Sequence, residues 1–323
     1  MTIRCGMSGE VVRQVEQLLA SLKLYNGPID SCFGGGVESA VKNFQRQRGL
    51  PPTGILDAAS WALMFPGVAA PASPFATAPL VERCLALTGS FETGRYHPDC
   101  FCAITGDFDG QGISFGVLQW NVGQGSLQPI FKQMFERYPA VCESIFNEYL
   151  PAIKTFGSEV LAEQLAFSRS IQVKGQIREP WLGMLVTLGR SAECQHIQAC
   201  QASRLFDQAL QLCADLELSS ERAAALLFDV VTQNGSLGAN VKAQILYDYD
   251  KLTEDNEVSR MCIVANRVSD ASRSRFVADV RNRKLTIAKG SGIVHGLLYH
   301  LADMFNITLK PLATGAAAAG GRA

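Results

Sequence analysis

Three prolines fall within GVAAPASPFATAPL at positions 67–80, an alanine-rich stretch with neither helical nor strand periodicity. Such a stretch cannot continue a regular element, so it marks a linker and divides the chain into a short and a long segment. Four parts are expected: a module at 1–66, the linker at 67–80, a larger domain at 81–310, and a tail at 311–323, where TGAAAAGGRA is biased in the same way. The short segment reads as three helices. Val11, Val12, Val15, Leu18, Leu19 and Leu22 recur at helical spacing behind Ser8 and Gly9. After the turn residues YNGPIDSCFGGG, positions Val37, Ala40, Val41 and Phe44 form a second apolar face, and PPTGILDAASWALM supplies a turn and a third helix. A core of that size suits docking better than an enzyme cleft.

The long segment has helical periodicity at 126–149, 158–173, 193–216, 219–233 and 238–250, after an opening helix VERCLALTGSFE. Residues 104–120 instead alternate and carry turn dipeptides, as a hairpin does. The fold class expected is mainly α, an α+β arrangement with a small β-hairpin region, plus the three-helix N-terminal domain.

Several classes of function are excluded at this level. The chain has 323 residues, 47% of them hydrophobic, a formal charge of −1, and no basic run able to track phosphates, so nucleic acid is not an expected partner. No apolar run reaches membrane-spanning length, and the N-terminus lacks a secretory-signal pattern; any export is expected to use another route. The ten cysteines form no CxxC pair and no zinc-site array, and are read mainly as small buried hydrophobes, with pairing in an oxidising compartment as the alternative. The four histidines show no metal spacing, and no G-x-S-x-G elbow is present. Neither metal nor cofactor is called for.

The stretch GDFDGQGIS at 106–114 poses a sharper question. As a calcium loop started at Asp107 it places Leu118 at the twelfth position, where a bidentate glutamate is required. It is therefore a turn, and the question is whether Asp107 and Asp109 only cap it or one of them also does chemistry. Glu92 lies 17 residues before Asp109, near the end of an apolar helix. Two carboxyls across a groove are what glycosidic cleavage needs, one giving a proton to the leaving oxygen and one activating water. Apolar neighbours such as Phe91 favour the proton-bearing form of Glu92, and the polar turn favours an ionised Asp109. Neutral amides follow at Gln111, Gln119, Asn121 and Gln124, with Trp120 among them, and these suit hydroxyl and acetamido groups.

Two family resemblances sharpen these expectations. The order G-x-S-G-E-V-V-x-x-V-E-x-L-L, then Tyr25, Gly27, Ile29, Asp30, Phe33 and Gly34, then Ala40, Val41, Phe44, Gln45, Gly49, Leu50, Thr53, Gly54, Asp57, Trp61 and Leu63, resembles the peptidoglycan-binding module of cell-wall hydrolases. It departs from that pattern at Ser31-Cys32. The resemblance implies a ligand site at Asp30, Phe33, Phe44 and Gln45. The second is carried by S-F-E-T at 90–93, D-G-Q-G-I-S-F-G from Asp109, LFDVVTQNG at 227–235 and FVADVRNRK at 276–284, which are similar to blocks of the family 46 chitosanases, enzymes of lysozyme-like fold. It implies Glu92 as general acid, Asp109 as general base, Ser114 holding the attacking water, and Asp229 paired with a buried Arg281 or Arg283 that supports Glu92, in an inverting mechanism. The amides and the N-terminal module tip the expected substrate from chitosan to peptidoglycan, as cut by a muramidase. A chitosanase or a non-catalytic wall-binding protein are the alternatives. The expected setting is the periplasm or cell wall, reached as a phage endolysin or as an effector delivered by a secretion machine, the latter matched by a cognate immunity protein.

Overall fold

A computed structural model describes residues 2–313, and two hydrophobic cores lie within it. The first joins Ile3, Val15, Leu19, Phe33, Val41, Phe44, Leu56 and Trp61 across the helices Glu10–Ser21, Gly35–Gln47 and Ala58–Met64. Asp57 caps the last of these by accepting from Ser60 N at 2.8 Å, and antiparallel bridges Ile3↔Leu56 and Ser8↔Cys32 tie the connecting segments together.

The second core is built around the helix Glu221–Asn234, in which Ala223 through Val231 are all buried. Its N-terminus is capped by Ser220, whose hydroxyl accepts from Ala223 N. The helices Leu80–Thr93, Ala192–Asp215, Glu257–Asp270 and Val277–Lys289 pack on it. Arg83 and Glu221 join the first of these to the central helix by a buried ion pair at 2.8 Å. Strands are few and short. Ile104–Thr105, Ser114–Phe115 and Trp120–Asn121 form one antiparallel sheet, in register Thr105↔Ser114 and Ser114↔Asn121. Two hairpins complete the strand content, Gln172–Val173 with Gln176–Ile177, and Ser291–Val294 with Leu297–His300. Among the described residues, no helix is long and apolar enough to cross a membrane.

Some expected elements differ. The helix read over 126–149 is divided into Gln128–Arg137 and Pro139–Phe146, because Pro139 has no amide proton to donate and disfavours helical geometry at Tyr138. The helix read over 158–173 is confined to Leu161–Ser170 and gives way to a hairpin. The helix read over 238–250 is Ala239–Tyr249, and further helices lie at Trp181–Arg190 and Leu301–Phe305. Pro311 and Leu312, read as the start of a tail, are held by the larger domain: Pro311 bridges Ser220 and Leu312 N donates to Ser219 O at 2.7 Å. Residues 314–323 lie outside the described residues.

The stretch between the cores is not free of contacts. Phe75 is buried in the second core, edge-on to His97 and beside Phe305. The module itself sits against the larger domain. Ser8 Oγ donates to Asp99 Oδ2 at 2.7 Å, and Arg190 Nε donates to Asp99 Oδ1 at 2.8 Å. Gly6, at φ 90°, lies so close to Tyr96 that a Cβ there would come within 2.8 Å of the ring. Tyr96 in turn donates its hydroxyl to Leu298 O on the last hairpin. All ten cysteines are free thiols; Cys84, Cys100, Cys102, Cys142, Cys194 and Cys213 are buried, and burial raises each thiol above its ordinary range.

Candidate active site

The helix Leu80–Thr93 ends at Gly94, which takes the left-handed conformation at φ 64°. Just before that end the helix passes close to the sheet. A Cβ on Gly89 would fall 1.8 Å from Val117 Cγ2, so only glycine permits the approach. Phe91 turns inward against Tyr299, with ring centroids 4.6 Å apart, and Glu92 turns outward into a cleft of about 740 Å³. The carboxylate does not stand in an apolar setting. Its side chain is 36% exposed, Arg283 Nη1 lies 2.7 Å from Oε1, and Gln233 Nε2 reaches the same oxygen at 3.5 Å.

Behind Glu92 is a buried charge cluster. Arg283, 2% exposed, donates through Nε to both oxygens of Asp229 at 3.0 Å and through Nη2 at 2.6 Å, while its plane lies over the Phe91 ring. Thr88 Oγ1 donates to Asp229 at 3.1 Å. Lys284, fully buried, donates to Asp229 Oδ2 at 2.5 Å, Asp229 O at 3.1 Å and Gln233 Oε1 at 2.7 Å. Three acceptors call for three N–H donors, which only the ammonium form supplies. Burial alone pushes the Asp229 carboxyl up; Arg283 and Lys284 outweigh it and bring it down to about 2. Burial opposes the charge of Arg283, but Asp229 and Glu92 hold its guanidinium above the ordinary value. For Lys284 the balance is reversed, and burial leaves the ammonium below its usual range despite Asp229. The cluster fixes the guanidinium that holds Glu92. Of the two arginines expected here, Arg283 is the one in place. Arg281 points away and pairs with Asp270 at the surface, since residues two apart on a helix face opposite sides.

The loop between the first two strands carries both aspartates. Asp107 is the structural one: it accepts from Gly110 N at 2.6 Å, its amide donates to Gln172 Oε1 at 2.8 Å, and Arg169 lies 3.7 Å away. Asp109 is exposed, and accepts only from Gln111 N in its own turn, at 3.1 Å. Glu92 lines the cleft and Asp109 does not, so the two carboxylates expected to face each other are not brought to one cavity. Phe108, between the aspartates, is 79% exposed at the loop tip. Ser114 Oγ accepts from Asn121 Nδ2 at 3.1 Å across the sheet, and this gives Asn121 a scaffolding role; with Trp120 it is buried rather than open to substrate. Gln119 does line the cleft, at φ 55°, but its amide is committed to Ala103 O, Gly116 O and the Thr105 hydroxyl. Gln111 is exposed beside Asp109, and Gln124 lines a separate cavity with Gln128 and Gln164.

Other cleft residues come from the C-terminal part of the chain. His295, at the turn of the last hairpin, places Nδ1 3.2 Å from Phe91 O and Nε2 2.8 Å from Asp279 Oδ1. Arg273 and Phe276 form the lip of the same cleft. Metal spacing does not single out His295, whose contact pairs the Asp279 block with a distant turn. In the first domain the correction is larger. Phe33 and Phe44 are core residues, 1% exposed, and Gln45 is buried while bonding Thr53, Gly54 N, Ile55 O and Ser60. Only Asp30 is open to a ligand, and its carboxylate accepts from Cys32 N. No group of three or more metal-binding side chains occurs among the described residues.

Comparison with known proteins places the first domain. Residues 8–64 match the family model described as "Putative peptidoglycan binding domain". No curated protein sequence matches the chain. Among solved structures, the chain is similar to the GH46 chitosanase of Gynuella sunshinyii in complex with chitotetraose, at 15% identity and TM-score 0.43, over 69% of this chain and 97% of that one. It is also similar to the native chitosanase from Bacillus subtilis MY002, at 15% identity and TM-score 0.40, over 66% of this chain and 87% of that one. The chain joins a segment that matches the peptidoglycan-binding domain family to a larger, mainly helical domain.

Proposed function

We propose that the protein is a peptidoglycan hydrolase that cuts the glycan strand, a muramidase acting at the cell wall. The observation that carries the reading is the Glu92 carboxylate, set in an open cleft on a buried Asp229–Arg283–Lys284 cluster, in a chain that also has a peptidoglycan-binding domain. Glu92 gives the proton to the leaving oxygen. Asp109 activates water on the opposite face, and Ser114, 5 residues on in the adjoining strand, orients that water. For this the tip of the 106–112 loop must approach the cleft when substrate is bound; an inverting reaction requires the two carboxyls roughly 6.5–9.5 Å apart. In this reading delivery is by phage lysis or by a secretion machine, and a cognate immunity protein accompanies the latter.

One observation favours a second reading. Asp109 stands outside the cleft lining, as it would in a protein that grips glycan without cutting it. Turbidity of wall suspensions separates the two: loss of turbidity with glycosidic fragments by mass analysis supports the hydrolase, and binding without fragments supports the grip.

The loop aspartates give a direct comparison. Asp109→Asn is expected to lower turnover on soluble strands about 10²-fold or more with an unchanged melting temperature. Asp107→Asn is expected to keep most turnover and lose about 1 kcal/mol of stability through its turn and Arg169 contacts. The reverse pattern exchanges the roles. A chain starting at residue 70, which retains Phe75, is expected to sediment poorly with intact sacculi while wild type sediments well; equal sedimentation removes the first domain from wall binding.

A further inference from the structure

We propose that Arg273 reads a carboxylate on the glycan, which makes the cleft selective for an acidic sugar polymer over a neutral or cationic one; this rests on the hydrolase reading above. The other charged side chains lining the cleft each already have a polar partner. Glu92 faces Arg283, and Asp279 faces His295 at 2.8 Å. Among the described residues Arg273 has no carboxylate partner, and its side chain is exposed at the cleft lip. The cleft therefore presents one unpaired guanidinium at its lip, which repels the ammonium groups of a polymer of free glucosamines. Beside it Phe276 is 45% exposed in the same lining, an apolar ring against which a sugar can lie, and the Arg275 guanidinium lies 4.5 Å from its centroid. Arg273 precedes the short turn Ser274–Phe276, and Val277–Lys289, the helix that holds Glu92 through Arg283, follows directly. Sugar platform, guanidinium and acid support thus sit on one continuous segment.

The chemistry that fits is a hexosamine ring with a carboxylate a few bonds away. Peptidoglycan offers two such sources: the lactyl ether of a strand stripped of peptide, and the stem peptide of an intact one. A guanidinium meets either in a two-pronged, charge-assisted pair.

The test uses the full chain on one polymer in three forms: peptide-bearing strands, strands with free lactyl carboxylates, and the latter converted to the neutral methylamide. Wild type is expected to prefer a carboxylate form over the methylamide by about tenfold or more in kcat/KM, through KM. Arg273→Gln should bring that ratio to about one and remove its salt dependence, with Arg273→Lys between. Preference for stripped strands assigns the lactyl group, and preference for peptide-bearing strands the stem. A wild-type ratio near one, an unchanged ratio in Arg273→Gln, or faster cleavage of chitosan than of any of these strands overturns the inference. If wild type cuts no strand, the hydrolase reading falls. The same ratios taken as Kd then decide Arg273 separately, because the first domain contributes equally to both proteins.

Discussion

Glu92→Gln is expected to abolish strand cleavage, by a factor on the order of 10²–10⁴, in a protein that still folds. The amide oxygen continues to accept from Arg283 and Gln233, so the cluster behind it is undisturbed. What is lost is the proton for the leaving oxygen. The measurement is release of reducing ends from soluble strands, with circular dichroism to establish the fold. Wild-type rates in a folded Glu92→Gln protein remove Glu92 from catalysis and leave the cleft as a binding groove.

The second large effect concerns stability. Asp229→Asn is expected to cost about 3–5 kcal/mol, because it leaves two buried cations, Arg283 and Lys284, with no full counter-charge in the core. The sign of the pH dependence follows from the depressed carboxyl. Its folded value of about 2 lies below the unfolded value of about 3.9, so the stabilisation is complete above the latter and is lost as pH falls toward the former. Wild type should therefore show a loss of stability on the order of 2 kcal/mol between about pH 4 and pH 2 that Asp229→Asn lacks. Denaturant titrations across that range check both statements. An Asp229→Asn protein as stable as wild type, with the same acid limb, would show that the cluster has no energetic role.

The parts legible in the sequence were those carried by local pattern. The module's helices follow from apolar spacing, and the turn at 106–114 from its glycines. Asp229 in LLFDVV announced a buried partner, since a lone carboxylate on an apolar helix is too costly. Which of Arg281 and Arg283 answers it is settled only by the fold: Arg283 and, four residues on, Ile287 lie on the buried side of the helix, which Arg281 misses. Lys284 was not legible either, because a lysine next to an arginine, in the run RNRK, reads as solvated. His295, Asp279 and Arg273 reach the cleft only through the tertiary path of the last two helices and hairpin. Phe33, Phe44 and Gln45 teach a different lesson. Residues that carry a family likeness can be those that build the fold, and their place in a motif does not make them ligand contacts.

The seam between the two domains bears on how a polymer would be cut. Ser8 is fastened to Asp99, Gly6 lies on Tyr96, and Tyr96 holds the hairpin whose turn presents His295 to the cleft. A loosely tethered anchor would let the blade sweep a wide arc around each attachment point. If the first domain grips and the cleft cuts, as proposed, these contacts set the span between the two, like the gap between the jaws and wheel of a pipe cutter. Cleavage around an anchored copy should fall at a set number of sugars from the point of attachment, giving fragments of narrow length distribution that broaden when Ser8→Ala and Gly6→Ala loosen the seam.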